Sequence, residues 1–140
     1  MKLRRVLALI SLLLVTASIF GCASKTQAPN QALKDIGAQE AFDLLQHNRG
    51  NEAFVIIDIR TPEGFNEGHI ENAVNIDFYS ASFKEDLEKL DKDKLYLIYC
   101  LSGNRSGKAI ITMKELGYKE VYNLSVGIQE WITQGFPVVK

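Results

Sequence analysis

From about residue 34 onward, two kinds of apolar pattern alternate along the chain. The runs Phe54-Val55-Ile56-Ile57 and Leu95-Tyr96-Leu97-Ile98-Tyr99 lack the in-out alternation of a half-exposed strand, which predicts strands covered on both faces. Ala73-Val74-Asn75-Ile76 and Val121-Tyr122-Asn123 are shorter candidates. Between these runs, apolar residues recur at helical spacing: Ala38, Ala41, Phe42 and Leu45; Phe83, Leu87 and Leu90; Ala109, Met113 and Leu116 before Gly117. Each set falls on one face of a helix. Thr61 followed by Pro62 reads as an N-cap and the first helical residue, and Ser82 with Glu85 has the spacing of a capping box. Strand alternating with helix predicts an α/β fold in which helices cover both faces of a parallel sheet.

The first residues follow a different pattern. Lys2, Arg4 and Arg5 precede an apolar stretch from Val6 to Phe20, closed by the small residues Gly21 and Cys22. That is the layout of an export signal, and it is short of the roughly 20 residues a membrane-spanning helix needs. Ile19-Phe20-Gly21-Cys22 resembles the lipobox of bacterial lipoproteins, in which the cysteine is acylated and becomes the mature N-terminus. The resemblance implies a lipid anchor on Cys22 and a place in the bacterial cell envelope, outside the cytoplasm. Ala23 to Leu33 has little to bury and is expected to be a flexible tether. The expected organisation is therefore 1–21 signal peptide, 22–33 lipidated cysteine and tether, and 34–140 folded domain.

Composition narrows the possibilities. At 140 residues and 46% hydrophobic content the chain supplies one compact domain, which excludes a multi-domain enzyme. The formal charge of -1, with no basic cluster after Arg5, leaves no electrostatic footprint for nucleic acid. Cleavage before Cys22 removes three basic residues and leaves 13 basic against 17 acidic, so attachment to a membrane would rest on acyl chains rather than on charge. Two cysteines, Cys22 and Cys100, and two histidines, His47 and His69, make neither a disulfide framework nor a structural zinc site. No metal or organic cofactor is expected.

Ligands of such sheets sit beyond the carboxyl ends of the strands. The loop after the strongest strand reads Cys100-Leu101-Ser102-Gly103-Asn104-Arg105-Ser106. A thiol at a strand end, followed by short or flexible residues and then a helix, suggests a cradle of backbone N–H groups that favours an anion and lowers the thiol pKa. Gly103 permits the positive φ that turns successive amides inward. Arg105 adds a cation able to hold an oxyanion in bidentate fashion, and Ser106 offers a hydroxyl or a cap. Such a thiolate needs no neighbouring general base.

These residues resemble the rhodanese family, sulfurtransferases that carry sulfur as a cysteine persulfide. Four segments carry the resemblance in the family's order: Asp58-Ile59-Arg60; Gly68-His69-Ile70-Glu71-Asn72-Ala73-Val74-Asn75-Ile76; the Cys100 to Ser106 loop; and Gly127-Ile128-Gln129-Glu130-Trp131 with Gly135-Phe136-Pro137-Val138. The resemblance implies a single-domain fold with a five-stranded parallel sheet and helices on both faces. It implies that Cys100 carries the sulfur, that the amides of Leu101, Ser102, Gly103, Asn104, Arg105 and Ser106 cradle it, and that Arg105 faces the pocket. Asp58, Arg60 and His69 match positions that look structural. The implied partners are a sulfur donor (thiosulfate, polysulfide or persulfide) and a thiol or cyanide acceptor. Leu101 departs from the pattern, since members that handle thiosulfate often carry a basic residue there.

Blander and rival readings stand beside this one. Taken alone, Cys100 is more often a small buried hydrophobe than a nucleophile; its place before Gly103 and Arg105 reverses that. His69 reads as a hydrogen-bonded turn residue, His47 as a surface residue at a helix end, and Trp131 as a core anchor. A Cys-dependent phosphatase or arsenate reductase would use a similar cradle with the arginine one residue later in a wider loop. A non-catalytic module that binds sulfur or docks a partner is the third possibility.

Overall fold

The computed structural model of the chain describes residues 31–140; the expected signal segment, Cys22 and most of the tether lie outside the described residues. Five parallel strands form one sheet in the order β1-β5-β4-β2-β3: β1 Ala32–Ile36, β2 Phe54–Asp58, β3 Ala73–Asn75, β4 Leu95–Tyr99 and β5 Glu120–Leu124. The connecting helices are α1 Ala38–His47, α2 Pro62–Glu67, α3 Phe83–Glu88, α4 Asn104–Glu115 and α5 Gly127–Thr133.

Period two along the central strand decides where each side chain goes. Tyr96, Ile98 and, one step beyond the strand, Cys100 join the core under α3 and α4, with Phe83, Leu87, Ala109 and Met113. Leu97 and Tyr99 point the other way, into the core under α1 and α5 with Ala38, Ala41, Ile128 and Trp131. The strand is buried on both faces, as its unbroken apolar run predicts. Trp131 anchors the second core: it packs against Phe42 and Phe136, and its indole N–H donates to Pro137 O at 2.9 Å. The C-terminal residues close over the α2 end, where His69 and Val139 exchange backbone hydrogen bonds of 2.9 Å in each direction.

Two local expectations need correction. Strand β1 starts at Ala32, ahead of the expected Lys34, so Ala32 and Leu33 belong to the sheet and not to the tether. The ladder to β5 needs only backbone groups, and Ala32 N donates to Lys119 O at 2.7 Å although the strand buries only Ile36 fully. The expected Ser82–Glu85 capping box does not form. Ser82 sits near φ -89°, ψ 0°, outside the extended geometry that aims a cap hydroxyl at the third amide, and donates instead to Asp86 Oδ2 at 2.7 Å. At α2 the cap is as predicted, with Thr61 Oγ1 accepting from Gly64 N and Pro62 in first position.

Candidate active site around Cys100

Cys100 follows β4 directly, and only three residues separate it from the start of α4 at Asn104. So tight a turn depends on two glycines. Gly103 adopts φ 87°, and a Cβ there would lie 1.8 Å from Ser125 O. Gly127 adopts φ 68°, and its Cβ would lie 2.2 Å from Leu101 O. Both positions therefore exclude any side chain. With backbones this close, the first turn of α5 takes the loop's carbonyls: Ile128 N donates to Cys100 O at 2.9 Å and Gln129 N to Leu101 O at 3.1 Å. The amides are left to face the sulfur.

Gly103 N donates to Cys100 Sγ at 3.2 Å. The Ser106 hydroxyl, fully buried, lies 3.5 Å from the same sulfur and 3.2 Å from Gly103 O, so its single proton serves one or the other. Burial pushes the Cys100 thiol up, yet the Ser106 hydroxyl and the backbone amides of Ser106, Ser102 and Arg105 outweigh it, and the thiol titrates below its ordinary range. Cys100 is only 1% exposed, as an inert core cysteine would be. What distinguishes it is the ring of donors, which stabilises a charge on sulfur.

The other loop residues divide by role. Leu101, 47% exposed, presents an apolar side chain at the mouth. Ser102 and Asn104 are exposed and weakly joined, Asn104 Nδ2 lying 3.5 Å from Ser102 Oγ, and Ser102 acts on the sulfur through its backbone amide. Arg105 is half-buried and its side chain makes no hydrogen bond to Cys100; its guanidinium carbon stands 5.4 Å from the ring centre of Tyr79. Tyr79 escapes sequence reasoning, being a single exposed aromatic in the segment between β3 and α3. That segment reaches the same end of the sheet as Cys100 because Ile76 N donates to Asp58 O and Phe78 N to Ile59 O.

Asp58 and Arg60 form a buried ion pair that shapes the end of β2. Arg60 donates to both Asp58 carboxylate oxygens, at 2.6 Å to Oδ2, and to Gly68 O at 2.6 Å, while Asn75 Nδ2 donates to Asp58 O and Arg60 O. Burial opposes the Arg60 charge, and Asp58 more than compensates. His69 stacks on Phe65, with ring centres 3.7 Å apart, and its Nδ1 meets Phe65 O at 3.0 Å. His47 ends α1 on the surface. None of these side chains reaches the sulfur by hydrogen bond.

A cleft opens at the other end of the sheet, lined by Asn48, Arg49, Glu52 and Glu71. It holds no nucleophile.

The family model of the rhodanese-like domain matches residues 40–134. The thiosulfate sulfurtransferase GlpE of Coxiella burnetii is 36% identical over 98 residues, covering 70% of this chain and 86% of that protein. A sulfurtransferase of Allochromatium vinosum is 33% identical over 100 residues, covering 71% and 92%. Among solved structures, a rhodanese-related protein from Thermoplasma volcanium superposes with a TM-score of 0.63 at 34% identity, covering 76% of this chain and 97% of that one.

Proposed function

The chain belongs to the rhodanese family of sulfurtransferases, and from that premise we propose that it moves sulfane sulfur from a small donor to a thiol or cyanide through a persulfide on Cys100. The observation that carries the reading is the donor ring around Cys100 Sγ, with Gly103 N at 3.2 Å and the Ser106 hydroxyl behind it.

The proposed steps balance without an added oxidant or reductant. The Cys100 thiolate attacks the outer sulfur of a donor such as thiosulfate. A new S–S bond forms at Cys100 while the donor's own S–S bond breaks, its electron pair leaving with sulfite. A thiolate or cyanide then attacks the terminal sulfur of the persulfide, taking it away as a new persulfide or as thiocyanate, and the Cys100 thiolate returns. The loop amides hold negative charge on sulfur before and after each transfer. Polysulfides and organic persulfides fit the same steps. Leu101 adds no charge at the mouth, so Arg105 is the loop's cation toward an anionic donor.

Exposure of the protein to thiosulfate or polysulfide is expected to add one sulfur mass at Cys100, discharged by cyanide with release of thiocyanate. Cys100→Ser is expected to abolish both. Loading without discharge would favour a sulfur-binding module, and hydrolysis of aryl phosphates would overturn the proposal. From the sequence of residues 1–22 we also propose that Cys22 is lipidated and anchors the domain in the cell envelope.

A further inference from the structure

We infer that Tyr79 is a positioning residue for Arg105, holding its guanidinium at the mouth of the Cys100 loop for donors that carry anionic oxygens on sulfur, as thiosulfate and thiosulfonates do; this rests on the sulfur-transfer reading above. Arg105 lies in the first turn of α4, where the helix dipole disfavours a cation, and among the described residues no acidic side chain pairs with it. A long side chain in that position would ordinarily swing into solvent. Instead its guanidinium carbon stands 5.4 Å from the Tyr79 ring centre, within cation–π range.

Tyr79 is 68% exposed, yet it is not loosely held. Its backbone N–H donates to Asp77 Oδ1 at 2.9 Å, and its ring meets Phe78 edge-on at 5.6 Å. Phe78 in turn packs edge-on against core residue Phe83 at 5.1 Å, and its N–H donates to Ile59 O at 3.2 Å. An aromatic ring braced so firmly while burying little surface is doing something other than filling the core. The kind of contact matters as well. A carboxylate partner would occupy the N–H groups of Arg105, whereas an aromatic face takes the flat side of the guanidinium and leaves its edge donors free for two oxygens of one ligand. Donors without such oxygens have nothing to gain from the arrangement.

The test compares the full chain with Tyr79→Ala, Tyr79→Phe, Arg105→Ala and the Tyr79→Ala/Arg105→Ala pair, using thiosulfate and an alkyl persulfide that carries no oxygen on sulfur as donors and cyanide as acceptor; attack on the terminal sulfur of the alkyl persulfide forms the Cys100 persulfide and releases the alkyl thiolate. Tyr79→Ala is expected to raise KM for thiosulfate about two- to fivefold, the range an exposed cation–π contact supports, with kcat and the KM for the alkyl persulfide unchanged. Tyr79→Phe is expected to keep the low KM, since the contact uses the ring and not the hydroxyl. In the Arg105→Ala background, Tyr79→Ala is expected to do nothing further. Equal rises for both donors, or an additive double variant, would overturn the positioning role. If the parent protein loads sulfur on Cys100 and Tyr79→Ala matches it in every constant, the positioning role alone falls; if the parent takes sulfur from neither donor, the sulfur-transfer reading falls and takes this inference with it.

Discussion

A thiol removed from water ordinarily resists ionising through the neutral range, and at Cys100 the placement of a few single atoms reverses that preference. The Ser106 hydroxyl is the side-chain part of that placement, so Ser106→Ala removes a donor to the charged form and leaves the amides in place. The sign follows: with one fewer donor to the thiolate, the Cys100 pKa rises and less thiolate is present at neutral pH. The rate of alkylation of Cys100 by iodoacetamide, measured against pH, is expected to have its midpoint below that of an ordinary thiol in the parent and at a higher pH in Ser106→Ala than in the parent. An unmoved midpoint would show that the amides set the pKa without the hydroxyl. Cys100, Gly103, Arg105 and Ser106 were legible in the sequence because they are neighbours and their residue types form one chemical pattern. Tyr79 was not, since only the fold brings its loop to the mouth. The capping box at Ser82 failed for a related reason: spacing specifies which residues are near, and the local φ and ψ decide which hydrogen bond forms.

Helices and buried strands were legible wherever burial imposes a period, as in β4 and along the Ala109-Met113 face of α4. Strand β1 was hidden because it lies at the sheet edge, where Ala32, Lys34 and Asp35 remain exposed and backbone pairing to β5 alone defines it. The turn between β4 and α4 is where element geometry and site geometry coincide. Gly103 has a left-handed backbone and no room for a Cβ, because Ser125 at the end of β5 occupies the space. Gly103→Ala is expected to destabilise the domain by at least about 2 kcal/mol, the strain of a left-handed non-glycine residue added to the movement of a backbone carbonyl. Urea unfolding measures the loss. Sulfur loading of the surviving folded fraction is expected to fall as well, because the displaced amide at position 103 is a donor to Sγ. A stable variant with full loading would mean that the β5–α5 connection yields at little cost.

Across the whole domain, the parallel sheet separates two ends with different tasks. Cys100, Arg105 and Tyr79 gather beyond the carboxyl ends of the strands, whereas the chain enters at Ala32, at the amino end of β1 and in register with Glu120 of β5. Strands of five residues hold these ends about 17 Å apart. If residues before Ala32 lead to a lipid on Cys22, the attachment point and the mouth of the site lie at opposite ends of the sheet, and the mouth stays open to a soluble donor while the domain is anchored. Anchoring and sulfur transfer are then separable. Cys22→Ser is expected to move the protein out of the membrane fraction or to stall its processing, while sulfur loading at Cys100 by the released domain stays at the parent level. Fractionation with N-terminal mass analysis reads the first outcome and intact mass after thiosulfate treatment the second. Retention in the membrane with an unchanged N-terminus would refute the lipid anchor, and loss of loading on release would show that the site depends on the membrane after all.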